Sequence, residues 1–285
     1  MKQKLGQKLT AAFALIASLS LLGGCSSADN ADDAGATKDG KQDVLSKIKA
    51  DGVLKVGTEA QYPPYEFKDA EANFAGVDIA LAEQIAKDLG VELKVVDMKF
   101  DGIIPAVQAG QVDLGIAAFS NTPERAKVVD FSENYESSVQ KLVVAADKVN
   151  EYTTKEALAG KKIGAQKGSI QSGVVKEELK DSQLFELDKY PALALEIQNG
   201  NIAGLVADEA VADSIVETSG GKLAIANYTF TSEAANVGKA ALMAKGNEAL
   251  QAEVNKTIQK MIDDGSWQKA YDDAVALAKT LGLEE

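Results

Sequence analysis

The stretch Ser120 to Ser132, SNTPERAKVVDFS, holds Arg125, the only arginine in 285 residues; the 30 basic residues are otherwise all lysine. Lysine carries a mobile point charge, whereas arginine presents a planar fork that fits a carboxylate or phosphate through two parallel hydrogen bonds. Thr122 and Pro123 read as a helix start, with threonine as the cap and proline at the first helical position. Arg125 then falls in the first turn, where the helix dipole is positive and a cation costs about 0.3–1 kcal/mol. A cation of the one type that grips carboxylates, placed there, points to an anion supplied from outside the chain. A surface pair with Asp130 or Glu133 is the plainer alternative.

Composition removes much other chemistry. The chain has no histidine, and Cys25 is its only cysteine. The usual zinc sites, a Ser-His-Asp triad and thiol nucleophiles therefore drop out, leaving carboxylates, lysines and tyrosines. Gly160, Gly164 and Gly168 are spaced by four, which matches neither the dinucleotide fingerprint nor the phosphate loop. No nucleotide, other cofactor or metal is expected. The formal charge is −13 and becomes −16 once residues 1–24, with three lysines and no acid, are set aside. So acidic a body is a poor partner for nucleic acid or anionic lipid.

The positioning elements follow from periodicity. VLKVGTE (53–59) reads as a strand broken by the loop QYPPYEF. Val77, Leu81, Ile85 and Leu89 recur every four residues and mark one buried helix face. VELKVVDM is the next strand, DGIIPAVQAG a short helix, and VDLGIAAF a strand that runs into the Arg125 segment. This β-α-β-α-β succession indicates an α/β layer with a mostly parallel sheet. A second set begins near Gln140 with the strand KLVVAAD. A capping box from Thr153 to Glu156 predicts a helix start. Strands KKIGAQ, LFELDKY and IAGLVADE then alternate with helices IQSGVVKEEL, LALEIQNG and AVADSIVET. After LAIANYTF and KAALMAK, a last helix carries Leu250, Val254, Ile258 and Met261 on one stripe. Two such units place the loops after their strands on a shared cleft.

Lys2, Lys4 and Lys8 precede the apolar run Leu9 to Leu22, and LLGGC ends at Cys25. A short apolar run followed by small residues is a secretory signal, too short for a membrane span. A lone cysteine after Leu-Gly-Gly resembles a bacterial lipobox. Residues 1–24 are then a signal peptide, and lipidated Cys25 anchors the chain to the cell membrane. An ordinary signal peptide with an incidental cysteine is the alternative. Residues 25–44, small, polar and rich in aspartate, read as a flexible tether.

The segments VGTEAQYPPYEF, FAGVDIALAEQIAKDLG, FDGIIPAVQAGQVDLGIAAFSNTPERAKVVDFS and MIDDGSWQKAYDD occur in the order and spacing of a known family. From Leu45 to the C-terminus the chain resembles the polar amino-acid-binding lipoproteins of ABC importers, solute-binding family 3. The resemblance implies a two-lobed α/β fold of the periplasmic-binding-protein type 2 class with two hinge crossings. It assigns residues 45–137 plus 236–285 to one lobe and 138–235 to the other. It also implies a monomeric extracytoplasmic protein, not an enzyme, that closes on a free amino acid and docks on a permease and its ATPase.

By the same resemblance Arg125 takes the ligand α-carboxylate and Ser120 contacts the ligand's main-chain groups. The Ala118 carbonyl and Asp208 receive the α-ammonium. The loop Gly168, Ser169, Ile170 offers backbone N–H groups to the carboxylate, so that two helix N-termini face it. Tyr62 and Phe100 sandwich the side chain, and Glu59 accepts from it, with Gln166 and Ala207 on the rim. With no lysine at those rim positions, a basic or amide side chain is favoured over an acidic one. Two alternatives stay open: an amino-acid sensor lipoprotein, and a cyclohexadienyl-dehydratase-like enzyme with Glu59 or Asp208 as general acid.

Overall fold

The computed structural model describes residues 43–232 and 235–281. The expected signal peptide, the Cys25 lipidation site and most of the tether lie outside the described residues. Helix α1 (Val44–Asp51) leads into β1 (Val53–Thr58), and a small hairpin of β2 (Phe67–Lys68) and β3 (Phe74–Ala75) precedes α2 (Val77–Leu89). Then come β4 (Glu92–Asp97), α3 (Phe100–Gln108), β5 (Leu114–Gly115), β6 (Val129–Phe131) and the long β7 (Glu136–Ala145). The second unit holds β8 (Lys162–Gln166), α4 (Ile170–Glu178), β9 (Gln183–Leu187), α5 (Tyr190–Gln198), β10 (Gly204–Asp208), α6 (Glu209–Thr218) and β11 (Leu223–Ile225). The chain closes with β12 (Asn236–Lys239), β13 (Leu242–Ala244), α7 (Glu248–Asp263) and α8 (Ser266–Leu281).

Two sheets result. The first runs β4-β1-β5-β13-β6, parallel at β4-β1-β5 and antiparallel at β13. The second runs β11-β7-β10-β8-β9, with β10, β8 and β9 parallel and β7 antiparallel to its neighbours. β7 serves two places. Its first residues, Glu136 to Val139, pair with β12, and its later ones pair with β10 and β11.

The helical stripes explain the layers. Val77, Leu81 and Ile85 of α2 are buried with Leu250, Val254 and Ile258 of α7 on one face of the first sheet. Ile103 of α3 packs with Phe119, Val129 and Leu242 on the other. A Cβ on Gly115 would stand 2.8 Å from Ile103 Cγ2, so α3 sits directly on the strand end that leads to Ala118. Each fully buried Leu or Ile contributes about 1.5–3 kcal/mol, which makes these strand ends rigid supports. Among the described residues no helix is long and apolar enough to cross a membrane.

Several expected elements differ. The helix expected after Thr122-Pro123 is only one 3-10 turn, Arg125–Lys127, because the chain must enter β6 at Val129. Thr122 Oγ1 does accept from the Arg125 N–H at 3.2 Å, but so short a turn carries little dipole, and the cost assigned to Arg125 there falls away. The Thr153 to Glu156 capping box forms turns instead of a helix. The segment ends at Gly160, in the left-handed region at φ 71°, before a full helical turn can be repaid by packing. The strand expected over VDLGIAAF pairs only at Leu114–Gly115. The strand expected at KLVVAAD instead starts back at Glu136.

Candidate functional site

Loops from both sheets meet at one small cavity. From the first side Tyr62, Phe100, Ala118, Ser120 and Arg125 line it; from the second, Gln166, Ser169, Ile170 and Asp208. Gly168 and Glu59 stand at its edge, joined to it by hydrogen bonds to Arg125 and Gln166. Ala207 is buried within β10 and does not line the cavity.

Arg125 is held loosely. Its Nη1 donates to the Ser120 carbonyl at 3.0 Å and its Nη2 to the Gly168 carbonyl at 3.1 Å. The guanidinium lies 5.5 Å from the Phe100 ring centre and 5.3 Å from that of Phe119. Burial lowers its pKa to about 10, so it stays cationic at neutral pH. A Cβ on Gly168 would stand 2.9 Å from Asp101 Cβ, and its φ of 77° is left-handed. Both features require glycine where the two sides approach. Ser169 occupies the N-cap of α4 without a capping side-chain bond; its hydroxyl donates to the Gln166 carbonyl at 2.7 Å. The start of α4 is a true helix N-terminus, whereas the Arg125 segment, expected to supply the second, is a 3-10 turn.

Asp208 is held tightly. It is 2% exposed, and its carboxylate accepts from Tyr62 Oη at 2.5 Å, Gln140 Nε2 at 2.7 Å and Ser138 Oγ. Gln171 Nε2 donates to Gln140 Oε1 at 2.8 Å and so fixes that amide. Asp208 sits at the N-cap of α6, yet its side chain makes no capping bond there. Its acceptor capacity is turned to the cavity side instead.

The two aromatic residues belong to separate stacks. Phe100 stacks on Phe119 with ring centres 4.6 Å apart, while Tyr62 lies 4.9 Å from Tyr190 and 5.8 Å from Tyr65. Both still face the cavity, from different stacks. Ala118 has a left-handed φ of 46°, which is strained for a residue with a Cβ; its N–H donates to Asp78 Oδ2 at 2.6 Å.

Glu59 is buried, and burial raises its pKa to about 7, against the opposing bond from Gln166. Gln166 Nε2 donates to Glu59 Oε2 at 3.3 Å and to the Asp188 carbonyl at 2.9 Å. Lysines come closer than the sequence suggested. Lys239, 1% exposed, lies behind Asp208 at 3.9 Å and donates to Tyr65 Oη at 2.9 Å. Lys99–Asp188 and Lys167–Asp101 form exposed ion pairs across the rim, worth little each in water.

Glu66 and Gln171 also line the cavity, and the sequence reading named neither. Gln171 follows directly on the loop at the start of α4, where first-turn side chains flank whatever the loop faces. Glu66 is a lone acid between Tyr65 and Phe67, a charge interrupting an otherwise apolar run, and that is the signal it offered.

Residues 54–275 match the family described as bacterial extracellular solute-binding proteins, family 3. The chain belongs to this family. This solute-binding protein is 32% identical over 228 residues to the L-cystine-binding protein TcyJ of Escherichia coli, covering 79% of this chain and 83% of that one. It is 29% identical to the ABC transporter glutamine-binding protein GlnH of Bacillus subtilis, covering 95% and 96%. Among solved structures, the amino acid ABC transporter substrate-binding protein AbpA of Streptococcus pneumoniae, bound to L-arginine, superposes with a TM-score of 0.78. That pair is 37% identical and covers 81% of this chain and 98% of AbpA. The two-lobed type 2 fold of this solute-binding protein is thereby established.

Proposed function

We propose that this solute-binding protein captures one free polar amino acid outside the cytoplasm and delivers it to an ABC permease and its ATPase. Arg125 takes the α-carboxylate, joined by the N–H groups of the 168–170 loop at the start of α4. Asp208 and the Ala118 carbonyl take the α-ammonium, and Ser120 contacts the main-chain groups. Glu59, Gln166, Tyr62 and Phe100 surround the side chain, which favours a basic or amide ligand. The single observation that carries this reading is the placement of a guanidinium and a buried carboxylate on opposite sides of one small cavity, each ready to pair with one end of a zwitterion. The named ligands of the relatives, cystine, glutamine and arginine, agree with it.

Residues 45–137 with 236–285, and residues 138–235, act as the lobes that close, with crossings near Ser137 and Ala235. The paired strands β7 and β12 support that division. Each charge-assisted hydrogen bond added by the second lobe contributes about 1.5–3 kcal/mol, so two or three move an open–closed equilibrium by orders of magnitude. The chain works as a lipid-anchored monomer through Cys25.

One observation favours a second reading. A structural neighbour, 31% identical, is the ancestral amino acid-binding protein AncCDT-1, described as a precursor of cyclohexadienyl dehydratase, and Glu59 with a pKa raised to about 7 suits a general acid. Thermal unfolding against a panel of free amino acids, with citrate and prephenate as controls, separates the readings. Saturating ligand at about a hundredfold excess over Kd stabilises by about 2.7 kcal/mol. A shift led by arginine, lysine, histidine or glutamine supports capture; silence across the panel removes it, and prephenate turnover replaces it with the enzyme.

A further inference from the structure

Glu66 and Asp78 are each 1% exposed, and their carboxyl groups lie within hydrogen-bonding reach of each other. Backbone geometry brings them together. The Asp78 N–H donates to the Tyr65 carbonyl at 2.9 Å, and Gly76 passes so close that a Cβ there would stand 2.1 Å from the Tyr65 oxygen. Asp78 Oδ2 accepts from the Ala118 N–H at 2.6 Å and from Tyr135 Oη at 3.1 Å. Glu66 Oε2 and Asp78 Oδ1 are both buried without a hydrogen-bond partner.

Two adjacent carboxylates in a dry site cannot both be ionised, and two orphaned acceptors next to each other are satisfied together by one proton. The proton belongs on Glu66. Asp78 already has two donors that favour its charged form, whereas no donor is found for Glu66 Oε2. We propose that Glu66 and Asp78 share one proton and act as a positioning pair, Glu66 donating to Asp78 while the charge on Asp78 holds the strained Ala118 peptide at the cavity wall. The inference rests on the amino-acid-capture reading, since Ala118 is the residue whose carbonyl meets the α-ammonium there.

The surrounding groups agree. Burial is the main influence, pushing Glu66 well above the carboxylate range and Asp78 up to about 7. Glu59 adds to the rise at Glu66, Glu136 adds to it at Asp78, and Lys239 opposes it at both. Tyr135, which faces Asp78, is itself held protonated. The pair thus keeps at least one proton at neutral pH.

The test uses the purified chain with carbon-13-labelled glutamate carboxyls, followed by NMR without ligand from about pH 5 to about pH 9, a span above the ordinary glutamate pKa. One glutamate resonance should stay at the protonated position through neutrality and vanish in Glu66→Gln. Calorimetry with L-arginine and L-glutamine as probes supplies the second arm. Glu66→Gln, whose amide donates in the proton's place, should bind at least about 10-fold more tightly than Glu66→Ala. Glu66→Ala, which orphans Asp78 Oδ1, should bind about 10- to 100-fold more weakly than wild type. The pair is refuted if no protonated glutamate is found, or if Glu66→Gln falls as far as Glu66→Ala. If neither probe binds the wild type, the capture reading has failed while the NMR arm still decides where the proton is.

Discussion

The two charged poles of the cavity are built differently. Arg125 rests on two backbone carbonyls and two aromatic faces, in a one-turn segment that has little else to hold it. Asp208 closes a regular strand and accepts from three side chains, one of which is braced by a fourth. A carbonyl is a neutral acceptor that a carboxylate readily displaces from a guanidinium. The Asp208 pole is instead preorganised, so under the proposed function a ligand ammonium would join a network that already exists. The comparison teaches that, under the proposed function, one pole would exchange partners on binding and the other would add one.

If that is right, the poles respond differently to substitution. Asp208→Asn should do the most damage. It removes the charge proposed to meet the ammonium and turns an amide NH₂ toward donors from Tyr62, Ser138 and Gln140. Affinity should fall about 100-fold and unfolding stability by about 1–3 kcal/mol, measured by calorimetry and by denaturant titration. Arg125→Lys comes next. It should weaken every amino acid about 10- to 100-fold through loss of the bidentate grip, yet leave unfolding stability within about 0.5 kcal/mol. Equal stability losses in the two variants would erase the distinction.

Glu59→Gln probes the side-chain end. Its carboxyl is raised to about 7 from 4.5 when folded, so the folded state binds the proton more strongly than the unfolded state. That contribution is fully present below about pH 4.5 and is lost as pH rises through about 7, a fall of roughly 3 kcal/mol at most. Glu59→Gln should flatten this share of the decline and reorder the ligand ranking; an unchanged ranking would remove Glu59 from selectivity. Gln171→Ala is the mildest case. Gln171 acts on Asp208 only through Gln140, so a loss of about 0.5–1.5 kcal/mol in binding is expected, and a larger one would mean Gln171 touches the ligand itself.

The legible parts of the molecule were those with local signals. Helix stripes at Val77, Leu81 and Ile85 and at Leu250, Val254 and Ile258 named the buried faces directly. Arg125 was conspicuous as a residue type, and the order of motifs carried the fold and Asp208. The rest depends on distance in the chain. Gln171 meets Gln140, and Lys239 meets Tyr65, only because separate strands converge, which no local pattern encodes. The 3-10 turn at Arg125 and the short β5 were misread for a related reason. Local propensity favoured a helix and a longer strand, but the need to reach β6 and to turn at Ala118 overrode it.

The most direct measurement compares the best-binding amino acid of the panel with its decarboxylated amine, for arginine the pair L-arginine and agmatine, by calorimetry on wild type and Arg125→Lys. The account predicts that the amine binds wild type at least about 100-fold more weakly, the loss of two charge-assisted bonds, and that Arg125→Lys weakens the amino acid while leaving the amine unaffected. Equal binding of the amine and the amino acid to wild type would contradict the assignment of the α-carboxylate to Arg125.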